Sequence, residues 1–171
     1  MSESSVILIG MPGAGKSTTG VLLAKRLAKA FIDTDILIQQ QVDMTLQDYL
    51  NQHGYMALRE LEADVLTSAS LENAVVATGG SAVYSDSAMR RLATLGPRVF
   101  LDLKLSSMQA RIHNQATRGL ASQPGTTLET IFAERLPLYR QYADITVAAD
   151  GGTAEEVVQA IVDRLSAGGS V

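Results

Sequence analysis

Residues Gly10–Ser17 match the pattern G-x-x-x-x-G-K-[ST] without a gap. The apolar run Val6–Ile9 before them is typical of a strand buried on both faces, and Ser17–Ala28 carries apolar side chains at helical spacing. Glycines in such a loop let backbone N–H groups converge on phosphate oxygens, and the helix that follows points its positive end at the same anion. The pattern therefore predicts a strand, a loop and a helix that together bind a nucleotide.

A glycine turn without a ligand is the alternative, and the flanking strand and helix disfavour it. Lys16 can reach the β- and γ-phosphates of ATP, and the Ser17 hydroxyl can coordinate Mg²⁺. We accordingly predict ATP as the co-substrate and Mg²⁺ as the cofactor. The predicted nucleotide-binding residues of the loop are Gly13, Ala14, Gly15, Lys16, Ser17 and Thr18.

Short apolar runs alternate with helical patterns along the rest of the chain. The further predicted strands are Ala30–Ile32, Ala74–Ala77, Val99–Leu101 and Ile145–Val147. Strands that alternate with helices pair in parallel through right-handed crossovers. We therefore predict one α/β domain over residues 1–171, with three layers, a five-stranded parallel sheet and the fold of P-loop NTPases.

Capping residues predict where several helices begin. Thr45 precedes a helical pattern with an acid in its first turn. Capping boxes are predicted at Ser106 with Gln109 and at Thr153 with Glu156.

Residues 114–127 interrupt this order, because they contain Gly119, Pro124 and Gly125. We predict a loop there and interpret it as a mobile lid.

The composition excludes several classes of protein. The formal net charge of −4 argues against a nucleic-acid binder. The chain has no cysteine and therefore no disulfide, thiolate metal site or cysteine nucleophile. The apolar run near the N-terminus is too short for a signal peptide or a membrane span. We expect a cytoplasmic monomer without nucleic-acid or membrane partners.

Polar residues follow two of the predicted strands at the sheet edge where the loop lies. They are Asp33-Thr34-Asp35 after the second strand and Thr78-Gly79-Gly80 after the third. Arg59 and Glu62 stand three residues apart on one helical face, and the segment Glu134–Tyr139 reads E-R-L-P-L-Y. Read separately, these segments also fit a capped turn, a surface ion pair and a tight turn.

In this order and spacing the segments resemble shikimate kinases, with their P-loop, D-T-D, F-R-x-x-E, glycine triplet and E-R-x-P-L-Y motifs. The resemblance runs from Val6 to about Leu165. It implies ATP-dependent phosphoryl transfer to a hydroxyl of shikimate, which gives shikimate 3-phosphate.

The resemblance also implies roles on the nucleotide side. Asp33 would hold Mg²⁺ through water, together with Ser17. Arg111 would lie against the adenine. Lys16 and Arg118 would act on the transferring phosphate, Arg118 by closing onto it from the loop.

On the acceptor side, Asp35 would accept a hydrogen bond from the reacting hydroxyl and act as its base. Arg59 and Arg135 would bind the carboxylate of shikimate, with Glu62 orienting Arg59. Backbone groups of Gly79-Gly80 would contact the ring of the substrate.

Three positions depart from the family pattern: Ser81 stands in the glycine triplet, Gly119 replaces a proline, and Leu58 replaces a phenylalanine. They motivate a second hypothesis, a related kinase for another hydroxylated carboxylic acid such as a gluconate-like one. A nucleoside monophosphate kinase is disfavoured, because the loop offers only Arg118 for a second nucleotide. A nucleotide-binding regulatory pseudokinase is disfavoured because Asp35, Arg59 and Arg135 are all present.

Overall fold

Five parallel strands form the centre of the molecule, whose computed structural model describes residues 4–112 and 120–169. The strands are β1 (Val6–Gly10), β2 (Ala30–Asp33), β3 (Ala74–Ala77), β4 (Arg98–Asp102) and β5 (Ile145–Ala148). Their order in the sheet is β2-β3-β1-β4-β5, and every neighbouring pair is parallel. The predicted five-stranded parallel sheet is confirmed: β3 has the predicted bounds, and the other four strands extend by one or two residues.

Helices cover both faces of this sheet. Every residue of β1 and β3 is buried, and successive side chains of a strand point to opposite faces, so both faces must be covered. The helices are α1 (Lys16–Leu27), α2 (Thr34–Val42), α3 (Leu46–Ser68), α4 (Asp86–Leu95), α5 (Leu105–Ile112), α6 (Leu128–Tyr142) and α7 (Ala154–Ala167). Within residues 4–112 and 120–169, none of them has the length and apolar character needed to cross a bilayer.

Helices α2 and α3 form a second, smaller core beside the main one. Ile38 of α2 packs with Leu58, Leu61 and Val65 of α3 and with Ala121. Leu58, at the position where the family pattern has phenylalanine, is 2% exposed and fills this core. This core fixes the face of α3 that carries Arg59 and Glu62.

The predicted helix caps have different outcomes. Thr45 accepts a hydrogen bond from Asp48 N and caps α3, as predicted. The capping box at Ser106 is wrong, because α5 already begins at Leu105 and Ser106 lies inside it. The start of α5 is instead stabilised by a residue distant in sequence, since Lys104 N donates to Asp150 Oδ2 at 2.9 Å.

The capping box of α7 is confirmed and gives a test of helix stability. Glu156 N donates to Thr153 Oγ1 at 3.2 Å, and Thr153 N donates to Glu156 Oε2 at 2.9 Å. We expect Thr153→Ala to lower the free energy of unfolding by about 1 kcal/mol, measured by urea denaturation. Thr67→Ala, which removes an exposed hydroxyl bonded inside α3, is the matched control and should be nearly neutral. An equal loss in both variants would contradict a specific capping effect.

Candidate active site

A cleft of about 840 Å³ opens where β1, β2 and β3 end. Most of the predicted site residues line it: Gly13, Ala14, Gly15, Lys16, Ser17, Thr18, Asp33, Asp35, Gly79, Gly80, Arg111 and Arg135. Arg59 is not among the described residues that line the cleft. It lies at the margin, where it bonds to Ala121 of the lining. Arg118 and Gly119 lie outside the described residues.

The loop between β1 and α1 has the backbone that an anion site requires. Gly13 and Gly15 adopt φ values of 82° and 84°, which side chains other than glycine rarely tolerate. Gly15 caps α1 without a side-chain hydrogen bond, and the first turn contains no acid. The N–H groups and the positive dipole end of α1 therefore face the cleft, where an anion is stabilised.

The Lys16 ammonium is buried inside this loop. Its Nζ donates to the carbonyl oxygens of Gly10 at 2.6 Å and Met11 at 2.9 Å. Burial lowers the pKa of Lys16 to about 8, and the negative charge of Asp35 partly opposes that shift. The lysine is thus a poorly hydrated cation held at the mouth of an anion site.

Ser17 and Asp33 place two oxygen donors beside the loop. Ser17 Oγ donates to Asp33 Oδ2 at 2.8 Å, and the other oxygen of Asp33 accepts from Asp35 N at 3.0 Å. No group of three potential ligands for a metal ion occurs within the part of the chain that the structure describes. A hydroxyl and one carboxylate nevertheless fit Mg²⁺, because Mg²⁺ in kinases takes most of its oxygens from phosphates and water.

Asp35 stands opposite Gly79 in the middle of the cleft. Burial raises the pKa of Asp35, and the neighbouring charge of Asp33 adds to this, whereas Lys16 lowers it. A Cβ atom at Gly79 would lie 3.0 Å from Asp35 Oδ1, and one at Gly80 would lie 2.7 Å from Arg135 Nη1. The absence of a side chain at both positions therefore leaves room for the charged groups that approach them.

Glu62 has a partner that the sequence did not predict. It is 4% exposed, and its Oε2 accepts a hydrogen bond from Ser81 Oγ at 2.5 Å. Its Oε1 is buried without a partner, and no ion pair in the described part of the chain involves Glu62. The expectation that Glu62 orients Arg59 is therefore wrong for this structure. Ser81 bonds the carboxylate in the place of an arginine.

The two predicted carboxylate-binding arginines both donate hydrogen bonds to the chain segment Ala121–Ser122. Arg135, 1% exposed, donates from Nη2 to Ser122 Oγ at 3.2 Å and from Nε to the Tyr84 hydroxyl at 3.3 Å. Arg59 donates from Nε to the carbonyl oxygen of Ala121 at 2.9 Å. No sequence motif marks Tyr84 or Ser122, because long-range packing brings them here.

Arg111 connects the nucleotide loop to the far side of the cleft. It donates to the carbonyl oxygens of Gly13 at 2.8 Å and Ala149 at 3.1 Å. Its side chain therefore spans from the loop after β1 to the loop after β5.

Comparisons with known proteins identify the family of this chain. The shikimate kinase family model matches residues 12–166. Shikimate kinases of Thermobifida fusca and Pseudomonas aeruginosa are 35% and 38% identical, over 98% and 94% of this chain and 98% and 95% of their own. A shikimate kinase from Acinetobacter baumannii, solved in complex with shikimate, superposes with a TM-score of 0.87 at 28% identity, covering 96% of this chain and 94% of its own. This chain belongs to the shikimate kinase family.

Shikimate kinases are ATP-dependent phosphotransferases, so this chain is an enzyme of that class with the P-loop kinase fold. A gluconokinase from Sinorhizobium meliloti is a more distant neighbour, with a TM-score of 0.52 at 21% identity over 95% of this chain and 93% of its own. That likeness extends to the fold alone.

The burial of Glu62 predicts a pH-dependent stability. Burial raises its pKa from 4.5 to about 7, although the Ser81 hydrogen bond opposes the shift. The folded protein then holds this proton more tightly than the unfolded chain. The stability that Glu62 contributes is therefore fully present below about pH 4.5 and is lost as the pH rises through 7.

We expect the free energy of unfolding of Glu62→Gln, relative to the wild type, to increase between pH 4.5 and pH 8 by up to about 3 kcal/mol. Denaturation curves of the free protein across this range measure it. Glu60→Gln, on the exposed side of α3, controls for the amide substitution itself. A difference that does not vary with pH would contradict the raised pKa.

Proposed function

We propose that this chain transfers the γ-phosphoryl group of ATP to a hydroxyl of shikimate and forms shikimate 3-phosphate. The observation that carries the proposal is the meeting of Lys16, Asp35 and Arg135 in one cleft. These residues supply a phosphate-binding cation, a candidate base and a candidate carboxylate receptor. Membership of the shikimate kinase family supports the same acceptor.

The loop after β1 would bind the nucleotide. Backbone N–H groups of Gly13–Thr18 would surround the phosphates, and Lys16 would exchange its carbonyl partners for phosphate oxygens. Ser17 and Asp33 would hold Mg²⁺, which neutralises charge on the β- and γ-phosphates when bound. Arg111 would lie against the adenine.

Asp35 would accept the hydrogen bond of the reacting hydroxyl and take its proton as the oxygen attacks phosphorus. Its raised pKa makes this carboxylate a stronger proton acceptor than an ordinary aspartate, as a base requires. Arg135 and Arg59 would bind the acceptor carboxylate, because a guanidinium fork matches both oxygens of a planar acid. Gly79 and Gly80 would leave room for the ring, as their lack of a side chain already admits the charged groups.

Arg118 would close onto the transferring phosphate from residues 114–127, which would act as the lid. We further propose that residues 1–171 form a single domain that works as a cytoplasmic monomer.

The departures from the family pattern do not favour a different acceptor. The Ser81 hydroxyl is engaged with Glu62, and Leu58 fills the second core. Neither provides an additional group that would select a gluconate-like acid over shikimate. The pseudokinase hypothesis is disfavoured because Lys16, Asp35 and Arg135 share the cleft.

The release of ADP from ATP in the presence and absence of shikimate tests the proposal directly. We expect shikimate-dependent turnover that EDTA abolishes. Asp35→Asn should lower kcat by on the order of 10²-fold or more, with little change in the KM for ATP, because it removes the base. Asp163→Asn, at an exposed position of α7, is the control and should remain near wild type. Turnover that does not require shikimate would overturn the assignment.

The proposed carboxylate receptor predicts discrimination by charge. The wild type should use shikimate far better than its neutral amide analogue. Arg59→Met should weaken acceptor binding by roughly 2–5 kcal/mol and reduce that preference, because the acid loses a charged partner. Kinetics with both compounds measure the effect. Arg26→Met, on the exposed side of α1, is the control. Equal use of acid and amide by the wild type would mean that the arginines do not bind a carboxylate.

A further inference from the structure

One aromatic ring contacts both arginines of the proposed carboxylate receptor. The guanidinium carbon of Arg59 lies 3.7 Å from the centre of the Tyr84 ring, and that of Arg135 lies 5.3 Å from it. The Tyr84 hydroxyl also accepts a hydrogen bond from Arg135 Nε at 3.3 Å. Tyr84 lies outside the sequence motifs, three residues beyond Ser81 of the glycine triplet.

The ring compensates an unfavourable arrangement of charge. Two arginines that converge on one acceptor group repel each other before the acid arrives. The negative face of an aromatic ring attracts a guanidinium within about 6 Å, and most strongly where water is excluded. The Tyr84 hydroxyl oxygen adds a partner for Arg135, which is almost fully buried. A single side chain therefore stabilises both cations before an acceptor binds.

These contacts leave other guanidinium nitrogens for a ligand. Arg59 uses Nε for Ala121, and in residues 4–112 and 120–169 its Nη1 and Nη2 donate to no other residue. Arg135 uses Nε for Tyr84 and Nη2 for Ser122 and also bonds to the Tyr139 hydroxyl, while its Nη1 lies next to Gly80 in the cleft. Since an arginine carries five N–H donors, Tyr84 can fix each guanidinium without saturating it.

Tyr84 itself is held rigidly. It ends the short 3₁₀ turn Ala82–Tyr84, where its N–H donates to the carbonyl of Ser81 at 3.1 Å. Ser85, the next residue, caps α4. Burial raises the pKa of Tyr84, and a hydrogen bond to Glu134 adds to this, so the phenol stays neutral. A ring held by this turn can set the spacing of the two cationic side chains that contact it.

We propose that Tyr84 is a positioning residue that sets Arg59 and Arg135 for the acceptor carboxylate and thereby determines the preference for an acid over a neutral acceptor. This inference rests on the proposed role of the two arginines. It assigns to Tyr84 no contact with the reacting atoms.

The test compares Tyr84→Leu and Tyr84→Phe with the wild type, using shikimate and its neutral amide. The preference is defined as kcat/KM for the acid divided by that for the amide. We expect Tyr84→Leu to lower it by about 3- to 30-fold through a higher KM for shikimate, with kcat and the KM for ATP little changed. Tyr84→Phe keeps the ring face but lacks the hydroxyl, so its preference for the acid should lie between those of the wild type and Tyr84→Leu.

Tyr55→Leu is the matched control, because the centre of the Tyr55 ring lies 5.1 Å from the guanidinium carbon of Arg59 and, within the described part of the chain, Tyr55 does not stack on Arg135. We expect the preference of this variant to change by less than about 2-fold. An equal loss in Tyr55→Leu and Tyr84→Leu would overturn the inference, since any nearby ring would then suffice.

The outcomes separate this inference from the function on which it rests. If the wild type does not prefer the acid, the carboxylate receptor itself fails, and the role of Tyr84 fails with it. If the wild type prefers the acid and Tyr84→Leu keeps the full preference, only the role of Tyr84 is overturned. Should Tyr84→Leu not fold, Tyr84→Phe decides alone, and an unchanged preference in that variant overturns the inference.

Discussion

The cleft depends on the mutual compensation of four ionisable groups gathered where the strands end. Lys16, Glu62 and Arg135 are buried, and Asp35 is partly so. Each would be costly to desolvate alone, and removing one partner leaves the others uncompensated. Asp35 raises the pKa of Lys16 while Lys16 lowers that of Asp35, so each favours the charged form of the other. Two cations and two carboxyl groups thus share the cleft, and the charge of each affects the pKa of its neighbours.

The charged groups of the cleft, rather than an unusual backbone conformation, account for the glycines at positions 79 and 80. Neither Gly79 nor Gly80 has a positive φ value, unlike Gly13 and Gly15 of the nucleotide loop. Carboxylate and guanidinium groups instead approach the space that a side chain would occupy there. Ser81, one residue later, is free of that restriction and turns its hydroxyl to Glu62. The triplet can therefore end in serine without closing the cleft.

The sequence was sufficient wherever a local pattern determines the structure. The nucleotide loop and the five strands followed from apolar runs and glycines, and Thr153 capped α7 through a neighbour three residues away. It was insufficient where a residue distant in sequence makes the hydrogen bond that a neighbouring residue was predicted to make. Asp150 stabilises the start of α5 instead of Ser106. Helix α2 follows β2 directly with Asp33 as its cap, and it gave no apolar period strong enough to predict it.

The acceptor side shows the same limit most clearly. Spacing alone placed Arg59 and Glu62 on one face of α3. It does not predict which residues of other elements contact that face. Ser81 from the loop after β3 bonds to Glu62, and Tyr84 from the following turn lies over Arg59. The loop after β3 therefore has two effects. Its glycines leave room for the charged groups, and Ser81 and Tyr84 contact Glu62 and the arginines and so orient them.

Arg59 and Arg135 also donate hydrogen bonds to Ala121 and Ser122, so the two guanidinium groups hold the segment Ala121–Ser122 against the cleft. The acceptor side and the chain leading into α6 consequently share their hydrogen-bond donors, and a change in one alters the partners available to the other.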